Sequence, residues 1–409
     1  MRHSLREILK DKNIRTAYTL CLTLGVAYGM VLAIISLYLT NTHHYDKPTI
    51  ANLATFFSVG IAAFAVPMGL MIRKLSPRVM LAIALAGYGT AVALFPFMPG
   101  FFGLAISRAF DGAFSVGAWI SLETILLLRT SSLNRGFVTG LYSNVLALGY
   151  VLGSGLAWGA AKLLPITDTE VFVAAGCVAC FGAFYALTKL DRVIEAVEIP
   201  TAPTTTAAAP ATGVSLGTLF WRIKTACVPP FTYGYFQGAL VLYLPLFLTK
   251  ERGVDEDDTK LLVGMFSLGM VLFVMSIGRL GDRFGHLKVI RTMALLGGLI
   301  ALSVVYLPNY YFIAVAVVLA GGALSPMWPL ALALQSLISD PRDYGRANGL
   351  LNASFAVGAV SGPLISSRIY EWYSGEVMVL HLASMWLFVV LASLVFRKDD
   401  PSLRPRPAC

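Results

Sequence analysis

Apolar residues in this chain gather in long runs rather than in alternating or one-faced patterns. Twelve runs of roughly 20 residues or more stand out, at about 16–40, 49–72, 79–98, 102–128, 136–163, 170–190, 225–249, 259–280, 288–308, 310–338, 344–369 and 376–396. About 20 apolar residues in a helix cross the hydrocarbon core of a bilayer. The pattern therefore predicts an all-α polytopic membrane protein with twelve transmembrane helices. The short separators "FMPG" (97–100) and "LPNY" (307–310) predict tight helical hairpins. Between the sixth and seventh runs lies "EIPTAPTTTAAAPATGVSLGTL" (198–219), whose Pro, Thr and Ala content predicts a flexible linker. The predicted organisation is a six-helix bundle over 1–195, a linker over 196–219, a second six-helix bundle over 220–398 and a tail over 399–409.

Sliding the second half over the first shows a repeat at a constant offset of 209 residues. Thr16, Ala17, Gly29, Leu37, Leu39 and Thr40 fall on Thr225, Ala226, Gly238, Leu246, Leu248 and Thr249; Gly69 falls on Gly278, Gly112 on Gly321 and Trp119 on Trp328. Gly140, Gly149 and Gly153 fall on Gly349, Gly358 and Gly362. Two six-helix units in the same topology are the parallel-repeat arrangement of a class of secondary transporters, whose site lies between the halves near the midplane.

Composition agrees with the pattern. The chain is 57% hydrophobic and 13% charged, with mean hydropathy +0.74, against about 25% charged residues in soluble domains. The net charge of +9 comes from Lys and Arg between the apolar runs, so it flanks spans and forms no basic face for nucleic acid. If the N-terminus is cytoplasmic, 24 Lys and Arg fall in inner segments and six (Lys47, Lys162, Lys250, Arg252, Lys260, Arg368) in outer ones. That bias places both termini inside and predicts the cytoplasmic (inner) membrane. The first apolar run is too long for a signal peptide core and reads as a first span. "CVAC" (177–180) lies inside an apolar run and reads as small-residue helix packing, since a redox pair needs a polar setting. The five histidines are scattered, so neither a metal site nor a cofactor is expected.

Several stretches carry a family resemblance. "GRLGDRFGHLK" (278–288) resembles the loop signature of the major facilitator superfamily, with Gly278, Asp282, Arg283 and Gly285 matching. "RAFDG" (108–112) resembles its fourth-span signature, with Asp111 in place of a glutamine, and "GLLNASFAVGAVSGP" (349–363) resembles its glycine–proline signature, here in span eleven. "WISLETILL" with "NRG" resembles the YcaD-like branch of that family. Two departures stand out. The first-half loop "GLMIRKLSPRVML" carries Arg73 at the acidic position and Ser76 at the second glycine, and Ser154 replaces the proline in span five.

The resemblance places the loop acid beside a helix start of the opposite half, so Asp282 is expected near Arg135 and Gly136. The mirror loop would pair with reversed polarity, Arg73, Lys74 and Arg78 facing Asp340 or Asp343; alternatively these charges only set topology. The pairs Gly149/Gly153 and Gly358/Gly362, with Pro363, are expected to form the surfaces on which the halves rock. Three ionisable residues lie at bilayer depth, Arg108, Asp111 and Glu123, each costly there and so a functional candidate. Arg108 and Asp111 can pair at i, i+3, as packing or as part of proton coupling. Glu123 is either a proton carrier without a local partner or a side chain snorkelling toward the interface near Arg129. Tyr28, Trp119, Gln237, Trp328, Tyr142 and Asn352 are candidates to line a substrate cavity.

The implied function is a monomeric secondary transporter of a small molecule in the lipid bilayer, with protons as coupling ion, most simply an exporter. An importer of a nutrient or siderophore-like solute is the alternative, and a non-transporting scaffold a further one. No nucleophile–base set or phosphate loop argues for an enzyme or an ATP-driven pump.

Overall fold

The computed structural model describes residues 9–45, 47–163, 166–192, 214–254 and 256–399. Most of the predicted linker and the tail after 399 lie outside the described residues, which contain helices and turns and no strand. We number the long helices α1 (Lys12–Asn41), α2 and α3 (47–75 and 77–94, one run broken at Ser76), α4 (Gly100–Leu128), α5 (Arg135–Leu163), α6 (Asp168–Lys189), α7 (Leu216–Arg252), α8 (Glu256–Phe284), α9 (His286–Ser303), α10 (Tyr310–Leu324), α11 (Met327–Ile338), α12 (Tyr344–Trp372) and α13 (Gly375–Val395). Spans eleven and twelve are thus α12 and α13. Ten segments among the described residues are long and apolar enough to cross a membrane, one of them the 46-residue stretch that holds both α2 and α3. The chain is a multi-pass membrane protein. Its outward faces carry side chains such as Phe102, Phe181, Leu364 and Val395, which suit lipid and would be a liability in water.

Local chemistry sets the helix ends. Asp11 accepts N–H bonds from Asn13 and Ile14 and caps α1; Thr167 and Glu170 form a reciprocal capping box at α6; Ser215, Asn309 and Ser374 cap α7, α10 and α13. Each such cap contributes about 1 kcal/mol. Gly253 closes α7 in the left-handed region, φ 65°. Span ten is not the continuous helix expected. It breaks after Leu324, where Ser325 and Pro326 separate α10 from α11, because proline has no N–H to donate. In the first repeat the equivalent residue is Gly117, and α4 runs unbroken.

Contacts divide the chain into two compact units. The first comprises residues 1–131, 142–214 and 341–353; the second comprises 132–141, 215–340 and 354–409. Each sequence repeat therefore lends a short segment, the start of α5 or of α12, to the other unit.

Within the units the helix contacts themselves repeat at 209 residues. In the first unit Gly60 lies against the Ala109 backbone and Gly112 against Phe57, while in the second Gly269 lies against Val318 and Gly321 against Phe266. At all four positions a Cβ would strike a neighbouring backbone. These glycines are contact surfaces, the small-residue packing that brings helices together in lipid.

Candidate functional site: loop caps and buried charges

Asp282 ends α8 in the second unit. Its Oδ1 accepts the Gly136 N–H at 2.8 Å and its Oδ2 the Phe137 N–H at 2.9 Å. These are N–H groups of the first turn of α5, which have no partner in their own helix and carry the positive end of its dipole. The approach depends on Gly136 and Gly278, each of whose missing Cβ would meet the other's carbonyl. Around the cap, His286 Nε2 lies 3.2 Å from Asp282 Oδ1, Arg279 sits 4.4 Å over the Phe137 ring, and Arg135 donates to the Ser336 carbonyl at 2.5 Å. Arg283 faces outward and stacks on Phe284. Sequence reading placed Asp282 near Gly136 but left His286 among scattered histidines. Only folding buries it against the carboxylate.

The mirror contact in the first unit has reversed charge. Arg73 approaches Asp343 at 3.9 Å, and Arg346 holds the same carboxylate more closely, at 2.8 Å. Asp343 and Arg346 are both buried in the turn that opens α12. Of the two acids considered, Asp343 is the one that meets Arg73. Arg78 takes no part, since its guanidinium donates to the Leu187 carbonyl of α6. Gly69 and Gly345 make the same close backbone approach as Gly278 and Gly136.

The signature glycines require a correction. Gly149 and Gly153 pack on Gly25, Val26 and Gly29 of α1, and Gly358 and Gly362 pack on Phe231 and Tyr235 of α7. Each pair therefore binds a helix of its own repeat rather than the opposite half. The glycines that touch the other repeat lie nearer the helix starts: Gly136 and Gly140 against Gly278 and Val274, Gly345 and Gly349 against Gly69 and Ala65. A helix that crosses two neighbours meets one near its end and the other nearer its middle, and spacing alone does not say which. At the proline position, Ser154 Oγ donates to the Gly29 carbonyl at 3.1 Å, whereas Pro363 packs its ring beside Gly238. The "CVAC" reading is also revised. Cys177 and Cys180 are free and exposed, Cys180 lying partly against Gly89, so Cys177 is not a packing residue.

Arg108 and Asp111 form an ion pair inside α4. Ser115 Oγ donates to Asp111 Oδ1 at 3.2 Å, and the Arg108 guanidinium lies 4.8 Å over the Phe57 ring. Glu123 does not snorkel. It is 1% exposed, and Arg129 turns instead to Asp11, at 2.6 Å. Nor does it lack a polar neighbour, because Asn352 Nδ2 lies 3.5 Å from Glu123 Oε2. Asn352 Nδ2 also donates to the Asn348 carbonyl at 2.9 Å, and Asn348 Nδ2 to Thr124 Oγ1 at 3.3 Å. At the same end as Asp11, bonds from Lys12 and Asn13 hold the Asp191 carboxyl below the usual carboxylate range.

Among the aromatic candidates, Tyr28 and Trp119 come together, ring centroids 6.1 Å apart, and are joined by Tyr88 and Tyr150 at 4.8 and 5.8 Å from Tyr28. The Tyr88 hydroxyl and the Trp119 indole N–H are buried without a hydrogen-bond partner. Tyr88 and Tyr150 sit in unremarkable apolar runs and carried no sequence signal. Tyr142 is buried and its carbonyl faces the Cys21 thiol at 3.6 Å. In the second unit Trp328 packs edge-on against Phe355, and Gln237 is half-buried on α7. No three His, Cys, Asp or Glu side chains converge among the described residues.

A family model described as Major Facilitator Superfamily matches residues 18–247 and again residues 230–408. The MFS-type transporter YfkF of Bacillus subtilis (strain 168) is 22% identical, covering 90% of this chain and 92% of the relative. The MFS-type transporter YcaD of Escherichia fergusonii is 21% identical, covering 91% and 93%. Among solved structures, the Escherichia coli fucose:proton symporter FucP superposes with a TM-score of 0.73 at 13% identity, over 92% of this chain and 98% of that one.

Proposed function

The chain belongs to the Major Facilitator Superfamily, and from that premise we propose that it is a secondary active transporter moving a small molecule by alternating access, coupled to protons and working as an exporter. The observation that supports it is the pair of loop-to-helix contacts made between sequence repeats, Asp282 on the start of α5 and Arg73 on Asp343 before α12. Alternating access needs contacts of this kind, specific enough to hold one state and small enough to break. In this reading Asp111 and Glu123 are the proton-coupling carboxylates, Arg108 competes with the proton for Asp111, and Tyr28, Trp119, Tyr142, Gln237, Trp328 and Asn352 contribute to substrate contact. Buried carboxylates at this depth have no structural economy to recommend them, which favours a functional role. The exporter direction rests on the glycine–proline resemblance at Gly358–Pro363. The Lys and Arg distribution supports an inner-membrane location with both termini cytoplasmic.

The test is flux in proteoliposomes of purified protein, with a panel of small organic solutes and an imposed pH gradient of either sign. Solute moving opposite to protons supports export, and solute moving with them supports the importer. Flux that ignores the gradient removes proton coupling.

A further inference from the structure

The second unit has no carboxylate where the first has Asp111 and Glu123; Ala320 and Leu332 stand at those positions, 209 residues on. It carries an imidazole within a span instead. His381 lies seven residues past the Ser374 cap of α13, which is about 10 Å along the helix. An ionisable side chain at such depth is costly and so a functional candidate. His381 Nε2 is 2.8 Å from the Tyr235 hydroxyl of α7, and the two rings meet edge-on with centroids 5.7 Å apart. Tyr235 is 2% exposed and sits at the glycine crossing, its carbonyl against Gly362. The hydroxyl of Ser366 on α12 is a second partner within reach of Tyr235. Ser366 is fully buried and its hydroxyl forms no other bond. Imidazole, phenol and hydroxyl thus stand in a row across α13, α7 and α12, all inside the second unit.

No charged group among the described residues acts on the imidazole. From α7 it meets Tyr235, with Ser366 of α12 behind. Gly298 and Leu302 of α9 face the Leu380 and Ser384 flank of α13, and Ser384 Oγ donates to the His381 carbonyl at 2.7 Å. The first repeat supplies a comparison. Gly153 meets the Val26 carbonyl there as Gly362 meets that of Tyr235, and Ala157 stands for Ser366. Counted from the caps of α6 and α13, Ala174 stands for His381. The junction of α1, α5 and α6 is therefore built from apolar side chains at all three positions, so packing does not explain the polar row.

We propose that His381 is a proton-binding site, the end of a three-member hydrogen-bond chain whose direction reverses on protonation. In the neutral state Nε2 accepts the Tyr235 O–H. A proton added at Nε2 makes the ring a donor, as imidazolium has no acceptor left. The Tyr235 oxygen then accepts that N–H, and its own O–H turns to Ser366 Oγ. The new N–H is the single covalent bond formed, and every donor keeps an acceptor. A histidine that only packs needs one partner; Ser366 supplies the acceptor that the reversed chain requires. The site rests on the reading of the chain as proton-coupled and gives the second unit a proton-binding group of its own.

The experiment is NMR of full-length protein in lipid nanodiscs, labelled with nitrogen-15 histidine and with carbon-13 at Cζ of tyrosine, titrated from about pH 5 to 8. The histidine signal that is absent in His381→Gln should pass from neutral imidazole to imidazolium within that range. The tyrosine signal that is absent in Tyr235→Phe should move with the same midpoint. Gln keeps a group able to bond Tyr235, so His381→Gln should elute as monodisperse, helical protein. If it does not, Tyr235→Phe identifies the imidazole instead, because loss of a charge-assisted bond should displace its midpoint by about half a pH unit. An imidazole that stays neutral throughout, or a midpoint unmoved in Tyr235→Phe, overturns the site. Flux in the proteoliposome panel reads the other claim. A silent imidazole in protein whose flux follows the pH gradient overturns the His381 site alone. A titrating imidazole in protein whose flux ignores the gradient overturns proton coupling and leaves the site standing.

Discussion

The carboxylate of Asp282 closes the first turn of a helix 146 residues away in sequence, its Oδ1 taking the Gly136 N–H at 2.8 Å. With the Phe137 N–H on the other oxygen, it acts as an N-cap supplied from a distant part of the chain. It combines two charge-assisted bonds with the helix dipole.

Replacing that cap should cost stability in proportion to what is removed. Asp282→Ala is expected to lower stability by about 1–2 kcal/mol, and Asp282→Asn, which keeps one acceptor, by less. Melting of the detergent-purified variants gives the order directly.

The backbone crossing beneath the cap leaves no room for a side chain. Gly278→Val should abolish the ordered fold or its transport, because the Cβ meets the Gly136 carbonyl. Gly155 on α5 has open space around it, so Gly155→Ala should be neutral or stabilising by up to about 1 kcal/mol. Yield of monodisperse protein and its melting point separate the two.

Ser76 occupies φ 68°, ψ 152°, a region otherwise used by glycine, and its repeat partner is Gly285 at φ 95°. Holding serine there costs about 1–3 kcal/mol. Ser76→Gly should raise the melting point, less the added entropy glycine brings to the unfolded chain. A lowered melting point would mean the conformation carries no strain.

Arg73 and Asp343 invite a charge swap, but Arg346 changes the forecast. Asp343→Arg alone should be severely destabilising, since it faces a buried Arg346 and leaves it unpaired. Adding Arg73→Asp should recover only part of the loss, because Arg346 still meets the new arginine. Adding Arg346→Asp instead should recover more. Transport rates and melts of the three variants test this ranking.

The sequence by itself determined the all-helical membrane fold, the number of spans and the 209-residue repeat. The fold and the spans follow from hydropathy over 20-residue windows, a signal that lipid enforces without reference to neighbours, and the repeat from matched residues such as Gly112/Gly321 and Trp119/Trp328. The Asp282 contact was legible through the resemblance of the 278–288 loop to the family signature, which places its acid beside a helix start of the other repeat. Tertiary structure decided which helix each glycine face meets, that Glu123 stays buried, and that His286 lies against Asp282 and Tyr88 against Tyr28. In an all-apolar helix, amphipathic pattern does not mark the inner face. Partners a hundred or more residues apart, such as Glu123 and Asn352, are brought together only by the crossing of helices packed on glycine.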